Sequence, residues 1–284
     1  MGLGAAAVRA LAARHGVAPT KSRGQNFVTD VGTVARVVRL AGVRPGDVVL
    51  EVGPGLGSLT LPLLSAGACV VAVELDHRLA EALPGTVAEH LPEAAERLHV
   101  VQGDGTGIAG LDLPLAPTAF VANLPYNVAV PLLLSVLRDV PTVTSGVVMV
   151  QSEVADRLCA PPGSRVYGVP SVKLAWYAAA RRVGSVAPTV FWPVPRVDSG
   201  LVGFERRPPP TSAAGREDVF ATVDAAFSQR RKTLRQSLAV RAGSAAAAQQ
   251  ACEAAGVDPS ARAERLDVAA FAAVASALGR GSMA

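Results

Sequence analysis

The chain has 284 residues, half of them hydrophobic, enough to bury a substantial core in one large domain plus a smaller one. No apolar run reaches the length of a membrane-crossing helix, and Arg9 and Arg14 interrupt the alanine-rich start where a signal peptide needs an apolar core. A soluble, cytoplasmic protein is expected. Cys69, Cys159 and Cys252 are far apart with no CxxC spacing, which argues against disulfides and against a bound metal.

The net charge of +4 is unevenly spread. Residues 1–36 hold five bases against one acid, residues 47–120 ten acids against two bases, and residues 121–284 eighteen bases against twelve acids. Basic flanks around an acidic middle fit a protein whose flanks meet a polyanion.

In chain order, residues 1–18 lack a clear helix cap and are expected to be a flexible segment, either a frayed helix or disordered. Pro19–Asp30 is loop-like, with Phe27 and Val28 as apolar anchors. Val34, Val37, Val38 and Ala41 recur at helical spacing. The β-branched run Val48–Leu50 is a strand ending at Glu51, before Gly53, Gly55 and Gly57 and a helix to about Ser65 that Ser58 or Thr60 can cap. Cys69–Val73 reads as a strand ending at Glu74. Asp76–Leu83 reads as a helix stopped near Pro84 and Gly85, with another from about Thr86 to Arg97.

Leu98–Gln102 is a third strand, ending at Gly103-Asp104, and Ala119–Ala122 a fourth, running into Asn123-Leu124-Pro125-Tyr126. A helix over Val130–Arg138 and a strand over Gly146–Gln151 follow. Ser171–Ala180 reads as the start of a long strand, Pro188–Val197 as a rigid extended segment with three prolines, and Ser199–Phe204 as a last strand. Arg207 and the prolines at 208–210 open a linker, placing a boundary after 206. Beyond it helices are expected at Val219–Phe227, Leu234–Val240, Ala245–Ala255 and Val268–Leu278.

Four strands thus each end in a polar residue at one sheet edge, where open α/β sheets bind ligands. Glycine lets a ligand lie against the backbone, and Glu74, twenty-one residues after Gly53, is placed to accept both ribose hydroxyl protons of a nucleotide-like molecule. Asn123–Tyr126 suits alkylation of an exocyclic adenine amine. Its lone pair is delocalised into the ring, so acceptors on the two N6 hydrogens are needed to turn that lone pair outward. The Asn123 side-chain oxygen and the Leu124 or Pro125 carbonyl qualify, and Tyr126 can stack on an unstacked base. Arg230, Arg231, Lys232 and Arg235 put four cations within six residues at the start of a helix, with Arg231 and Arg235 on one face suited to phosphates.

Together GQNF (24–27), EVGPGLG (51–57), VELD (73–76), NLPY (123–126), FWPVPRVDS (191–199) and AFSQRRKTLRQSL (226–238) resemble the bacterial small-subunit (16S) rRNA adenine N6,N6-dimethyltransferases, the kasugamycin-sensitivity methyltransferases. The resemblance runs from about residue 20 to 275. It implies a Rossmann-like class I methyltransferase sheet, mostly parallel and seven-stranded, over residues 19–206, with a small helical RNA-binding domain over 207–284. It implies S-adenosylmethionine as methyl donor, no metal, and 16S rRNA in the assembling 30S subunit as partner of a monomer. Two adjacent adenosines near the 3′ end are the implied targets.

Carried over by motif, Asn26, Val28, Gly53, Gly55, Glu74, Asp104 and Asn123 bind the donor, while Phe191, Pro193 and Pro195 line the target-base pocket. The chain departs from the family pattern at Gly105, Ala122 and Val169-Pro170. The macrolide-resistance dimethyltransferases of large-subunit rRNA share the glycine, NLPY and FxPxPxVDS motifs, and a non-catalytic assembly factor on the same fold is the remaining alternative. The Ala226–Leu238 run favours the small-subunit enzymes.

Overall fold

The computed structural model describes residues 2–19 and 25–281; Lys21 and Arg23, two of the five bases of the N-terminal flank, and Gly24 of the first motif lie outside them. The chain divides into two compact units, Met1–Asp156 with Ala180–Arg206, and Arg157–Ala179 with Arg207–Ala284.

The first unit opens with α1 (Ala5–Arg14), then β1 (Phe27–Val28), α2 (Val31–Ala41), β2 (Val48–Val52), α3 (Thr60–Ser65), β3 (Cys69–Glu74) and α4 (His77–His90). After β4 (Leu98–Gln102) come β5 (Ala119–Asn123), α5 (Ala129–Asp139), β6 (Ser145–Gln151) and α6 (Ser152–Leu158). α7 (Val169–Tyr177) precedes β7 (Ala178–Val186), β8 (Phe191–Trp192) and β9 (Ser199–Arg206). Seven strands form one sheet in the order β4-β3-β2-β5-β6-β9-β7. β4, β3, β2, β5 and β6 are parallel neighbours, and β9 lies antiparallel to β6. This is the mostly parallel, seven-stranded arrangement expected from the sequence.

Parallel strands covered on both faces read as continuous apolar runs, which is why these were legible. By strand alternation Val49, Val70, Val121 and Val147 point to one face and Leu50, Val71, Phe120 and Val148 to the other, all buried. The register pairs Val52 with Val73, Glu74 with Gln102 and Asn123 with Met149, so the carboxyl ends of the strands share one edge.

Four expectations are corrected. Residues 5–14 form a helix whose Val8, Leu11 and Ala12 are buried with Leu3 in the sheet's core; apolar anchoring replaces the missing side-chain cap. Pro84 does not end a helix: α4 runs through it, because Leu79, Leu83, Thr86 and Val87 all bury on one side and outweigh the lost backbone bond. Only the residues after Leu91 form a separate 3-10 turn, at Pro92–Arg97.

The segment read as a strand from Ser171 is helix α7, started by Pro170 in its first turn and by the Gly168 N–H donating to Ser171 Oγ at 3.1 Å. Finally, Arg157–Ala179 belongs with the C-terminal helices, not with the sheet. Trp176 and Tyr177 meet Phe220 edge-on at centroid distances of 6.1 and 6.0 Å, and Tyr167 Oη donates to the Leu266 carbonyl at 2.8 Å.

The second unit continues with α8 (Arg216–Phe227), two single-turn helices α9 (Leu234–Ser237) and α10 (Ala239–Ala242), α11 (Ala245–Ala254) and α12 (Val268–Gly281). Its core gathers Val219, Val223, Leu234, Leu238, Cys252, Phe271 and Val274. Among the described residues no helix is long and apolar enough to cross a membrane.

Candidate active site

At the carboxyl edge of the sheet lies a cavity of about 350 Å³ whose wall includes Asn26, Val28, Glu51, Gly53, Gly55, Ser58, Glu74, Asp104 and Asn123–Tyr126. All seven residues assigned to the donor from the sequence, and the whole NLPY motif, therefore line one space.

The glycine turn has the geometry its composition demands. Gly53, Gly55 and Gly57 have φ of 73°, 57° and 92°, left-handed values that glycine alone adopts without strain. A Cβ on Gly55 would lie 2.8 Å from the Phe27 ring, so this glycine also makes room for the aromatic anchor of β1. Glu74 is drawn to the turn: its Oε2 accepts from the Gly55 N–H and its Oε1 from the Asp76 N–H, each at 3.0 Å. Burial still holds its carboxyl above the usual range, against the pull of those bonds.

Glu51, within β2, is a second carboxyl on the wall and only 1 % exposed. Burial pushes it up to about 8, opposed by the bond that Thr60 Oγ1 donates to its Oε2 at 2.7 Å and reinforced by the Glu74 charge. Thr60 is thereby committed to Glu51 and does not cap α3. Nor does Ser58, whose buried hydroxyl on the cavity wall has no hydrogen-bond partner. Asp104 spends one oxygen on the Thr106 N–H at 2.9 Å, capping the 3-10 turn that follows. Gly105 has a local reason: a Cβ there would approach Val52 Cγ1 to 2.5 Å.

In the NLPY motif, Asn123 Nδ2 donates to the Asn26 carbonyl at 3.0 Å, leaving the side-chain oxygen as the end of the amide without that tie. The Leu124 N–H donates to Met149 and the Pro125 carbonyl accepts from Val128, which fixes the loop as a turn into α5. Tyr126 Oη and Ser199 Oγ share a hydrogen bond of 2.7 Å, and burial raises the phenol.

The proline hook is not extended throughout, since Pro188–Val190 is a 3-10 turn. Its Phe191-Trp192 forms β8, paired antiparallel with Phe27-Val28 of β1, and the Phe27 and Trp192 rings stack at 6.2 Å. Phe191 is buried in the core at 2 % exposure, and Phe191, Pro193 and Pro195 are not on the cavity wall. Phe191, paired with Val28, braces the strand that directly follows Asn26. A pairing between residues so far apart in sequence leaves no local signal, and two-residue strands have no period to read.

In the second unit the basic run is a turn, not a helical face: α8 ends at Phe227 and α9 begins only at Leu234, so Arg231 and Arg235 share no helix. Arg231, Lys232 and Arg235 are exposed. Arg230 is spent on the fold, its Nη2 donating to the Arg165 and Tyr167 carbonyls and its Nε to Glu264 at 3.3 Å.

A buried acceptor pair, an unpartnered hydroxyl and a side-chain-free glycine floor fit S-adenosylmethionine, which has a cationic amino-acid end and a ribose diol. No group of three potential metal ligands occurs among the described residues.

Comparison with known proteins agrees with this geometry. Residues 19–279 match the family model for ribosomal RNA adenine dimethylase. The "Ribosomal RNA small subunit methyltransferase A" of Thermobifida fusca is 62% identical over 268 residues, covering 94% of this chain and 93% of the relative. The protein of the same name from Kineococcus radiotolerans is 63% identical, covering 96% and 91%. Among solved structures, the 23S rRNA methyltransferase ErmE superposes with a TM-score of 0.63 at 27% identity, covering 89% of this chain and all of that one. A dimethyladenosine transferase from Plasmodium falciparum gives 0.74 at 21%, covering 90% and 98%, a likeness of fold. The chain belongs to the ribosomal RNA adenine dimethylase family.

Proposed function

We propose that this protein uses S-adenosylmethionine to dimethylate N6 of two adjacent adenosines near the 3′ end of 16S rRNA, acting in the cytoplasm as a monomer on the assembling small subunit. The observation that carries the reading is the Asn123 amide held by the Asn26 carbonyl at the cavity edge. The two relatives above 60% identity named for the small subunit, against 27% for the large-subunit enzyme, support the choice of substrate.

The donor supplies an electrophilic methyl on a sulfonium, and direct displacement calls for no metal and no covalent enzyme intermediate. Glu74 receives the ribose hydroxyls on lone pairs left after its bonds to Gly55 and Asp76, Gly53 and Val28 enclose the donor, and the second Asp104 oxygen takes the adenine amine. Asn123 Oδ1 and the Leu124 carbonyl accept the two hydrogens of the target amine; Pro125 is the weaker candidate because its carbonyl already accepts from Val128. Tyr126, anchored on Ser199 and kept protonated by burial, offers its ring to the base and not a proton acceptor. Arg231, Lys232 and Arg235 meet RNA phosphates.

The test is incubation with labelled S-adenosylmethionine and, separately, undermethylated small and large subunits, followed by mapping of the label. Label on adenine N6 of 16S rRNA is expected. Label confined to the large subunit would transfer the assignment to the macrolide-resistance type, and no transfer to either would leave only a binding role.

A further inference from the structure

Two arginines distant in sequence converge on one serine at the outer strand of the sheet. In α2, Arg36 Nη1 donates to the Ser185 carbonyl at 3.1 Å. In β7, Arg182 Nη2 donates to the Ser185 hydroxyl at 3.0 Å and to Ser152 Oγ at 2.9 Å. A strand glycine makes room for the Arg36 guanidinium. A Cβ on Gly184 of β7 would collide with the Arg36 guanidinium, whereas at Gly200 of β9 the close neighbour is Ala155, 2.5 Å away. Glycine inside a strand weakens it and marks a close approach, here of the Arg36 guanidinium to Gly184.

The charges at this spot do not cancel. Arg182 is paired with Asp156, but Arg36 has no carboxylate partner among the described residues, and Ser185 is exposed. Arg39, one turn further along α2, is exposed as well. Arg182, its terminal nitrogens taken by Asp156, Ser152 and Ser185, holds the hydroxyl in place, and the Arg36 guanidinium beside it is left as an uncompensated cation able to meet a phosphate.

We propose that Arg36, Arg182 and Ser185 form a binding site for a backbone phosphate of the RNA substrate, separate from the cavity and from the basic turn at 230–235. The inference rests on an RNA substrate, as proposed above, and adds a second phosphate contact on the sheet unit itself. It also gives the basic N-terminal flank a role, since Arg36 is part of that flank.

The experiment measures binding of the full chain to undermethylated small subunits over a range of KCl concentrations, for wild type, Arg36→Gln, Arg36→Lys and Ser185→Glu. Arg36→Gln is expected to weaken binding about five- to tenfold at low salt and to lower the log-log salt slope by about 0.7–0.9, the signature of one lost phosphate contact. Ser185→Glu, a surface change that puts a carboxylate between the two arginines, is expected to do at least as much, and Arg36→Lys to keep the slope. Wild-type affinity and slope in both Arg36→Gln and Ser185→Glu would overturn the site. So would a weakened Arg36→Gln with an unchanged slope, which would make Arg36 a packing residue. S-adenosylmethionine affinity, expected to stay at the wild-type value, and a single cooperative thermal transition show that each variant folds. Methylation of small subunits by wild type is scored separately, so failure of this site and failure of the substrate assignment give different results.

Discussion

Asn123 and Asn26 stand 97 residues apart in sequence, yet Asn123 Nδ2 donates to the Asn26 carbonyl at 3.0 Å. The bond ties the segment before β1 to the end of β5 and decides which end of the Asn123 amide faces the cavity. Replacing Asn123 by alanine removes an acceptor needed at the reacting amine while leaving the glycine floor and Glu74 in place. The expected outcome is S-adenosylmethionine affinity within a few-fold of wild type and a fall of about 10²–10³ in single-turnover methyl transfer. Full activity would remove Asn123 from the chemistry.

Gly55 is constrained twice, by a φ of 57° and by the Phe27 ring 2.8 Å from any added Cβ. Gly55→Ala therefore costs about 1–2 kcal/mol in backbone strain alone and pushes Phe27 off its stack with Trp192. A lower thermal midpoint and at least a tenfold loss of donor affinity by calorimetry are expected; wild-type affinity would show that the β1 anchor does not shape the cavity.

Glu51 links the site to pH. Its folded value, about 8, lies above its ordinary 4.5, so between those values the folded chain keeps a proton that the unfolded chain releases. Its contribution to stability is therefore undiminished below about pH 4.5, falls as pH rises toward 8, and levels off above it, with a total on the order of a few kcal/mol. Glu51→Gln keeps an acceptor for Thr60 and never ionises. The variant is expected to melt higher than wild type at alkaline pH, with the difference vanishing in acid; thermal melts between about pH 5 and pH 9 check this. A gap that does not change with pH would refute it.

The basic turn separates into two roles. Neutralising Arg231, Lys232 and Arg235 is expected to weaken subunit binding, to lower the salt slope by about two to three and to leave the melting temperature unchanged. Arg230→Gln is expected to lower the melting temperature, because the Arg165 and Tyr167 carbonyls and Glu264 lose their donor. Equal melting temperatures for the two variants would contradict the division.

What the sequence disclosed and what it hid have physical causes. Buried parallel strands such as Val48–Val52 and Cys69–Glu74 are mostly apolar, valine-rich runs with a carboxylate at or next to the last residue, so both the sheet and its ligand edge were readable. Gly53, Glu74, Asp104 and Asn123 were readable with it, because they stand at or just past the carboxyl ends of β2, β3, β4 and β5. α7 was hidden because it buries Val172, Leu174, Trp176 and Tyr177 in so short a span that no period separates helix from strand. Glu51 was overlooked because burial of a carboxyl beside another carboxyl is a property of the folded wall, and Arg230 was read as one of four cations because its carbonyl partners lie some sixty residues away.

The central claim is that donor and adenine meet at the carboxyl edge of this sheet, and a crystal structure of the chain with bound S-adenosylmethionine tests it most directly. The account predicts the ribose hydroxyls on Glu74, the amino-acid end beside Gly53, and the transferable methyl directed at the opening bordered by Asn123 and Tyr126. Density for the donor outside this cavity, or a methyl directed away from Asn123, would contradict it.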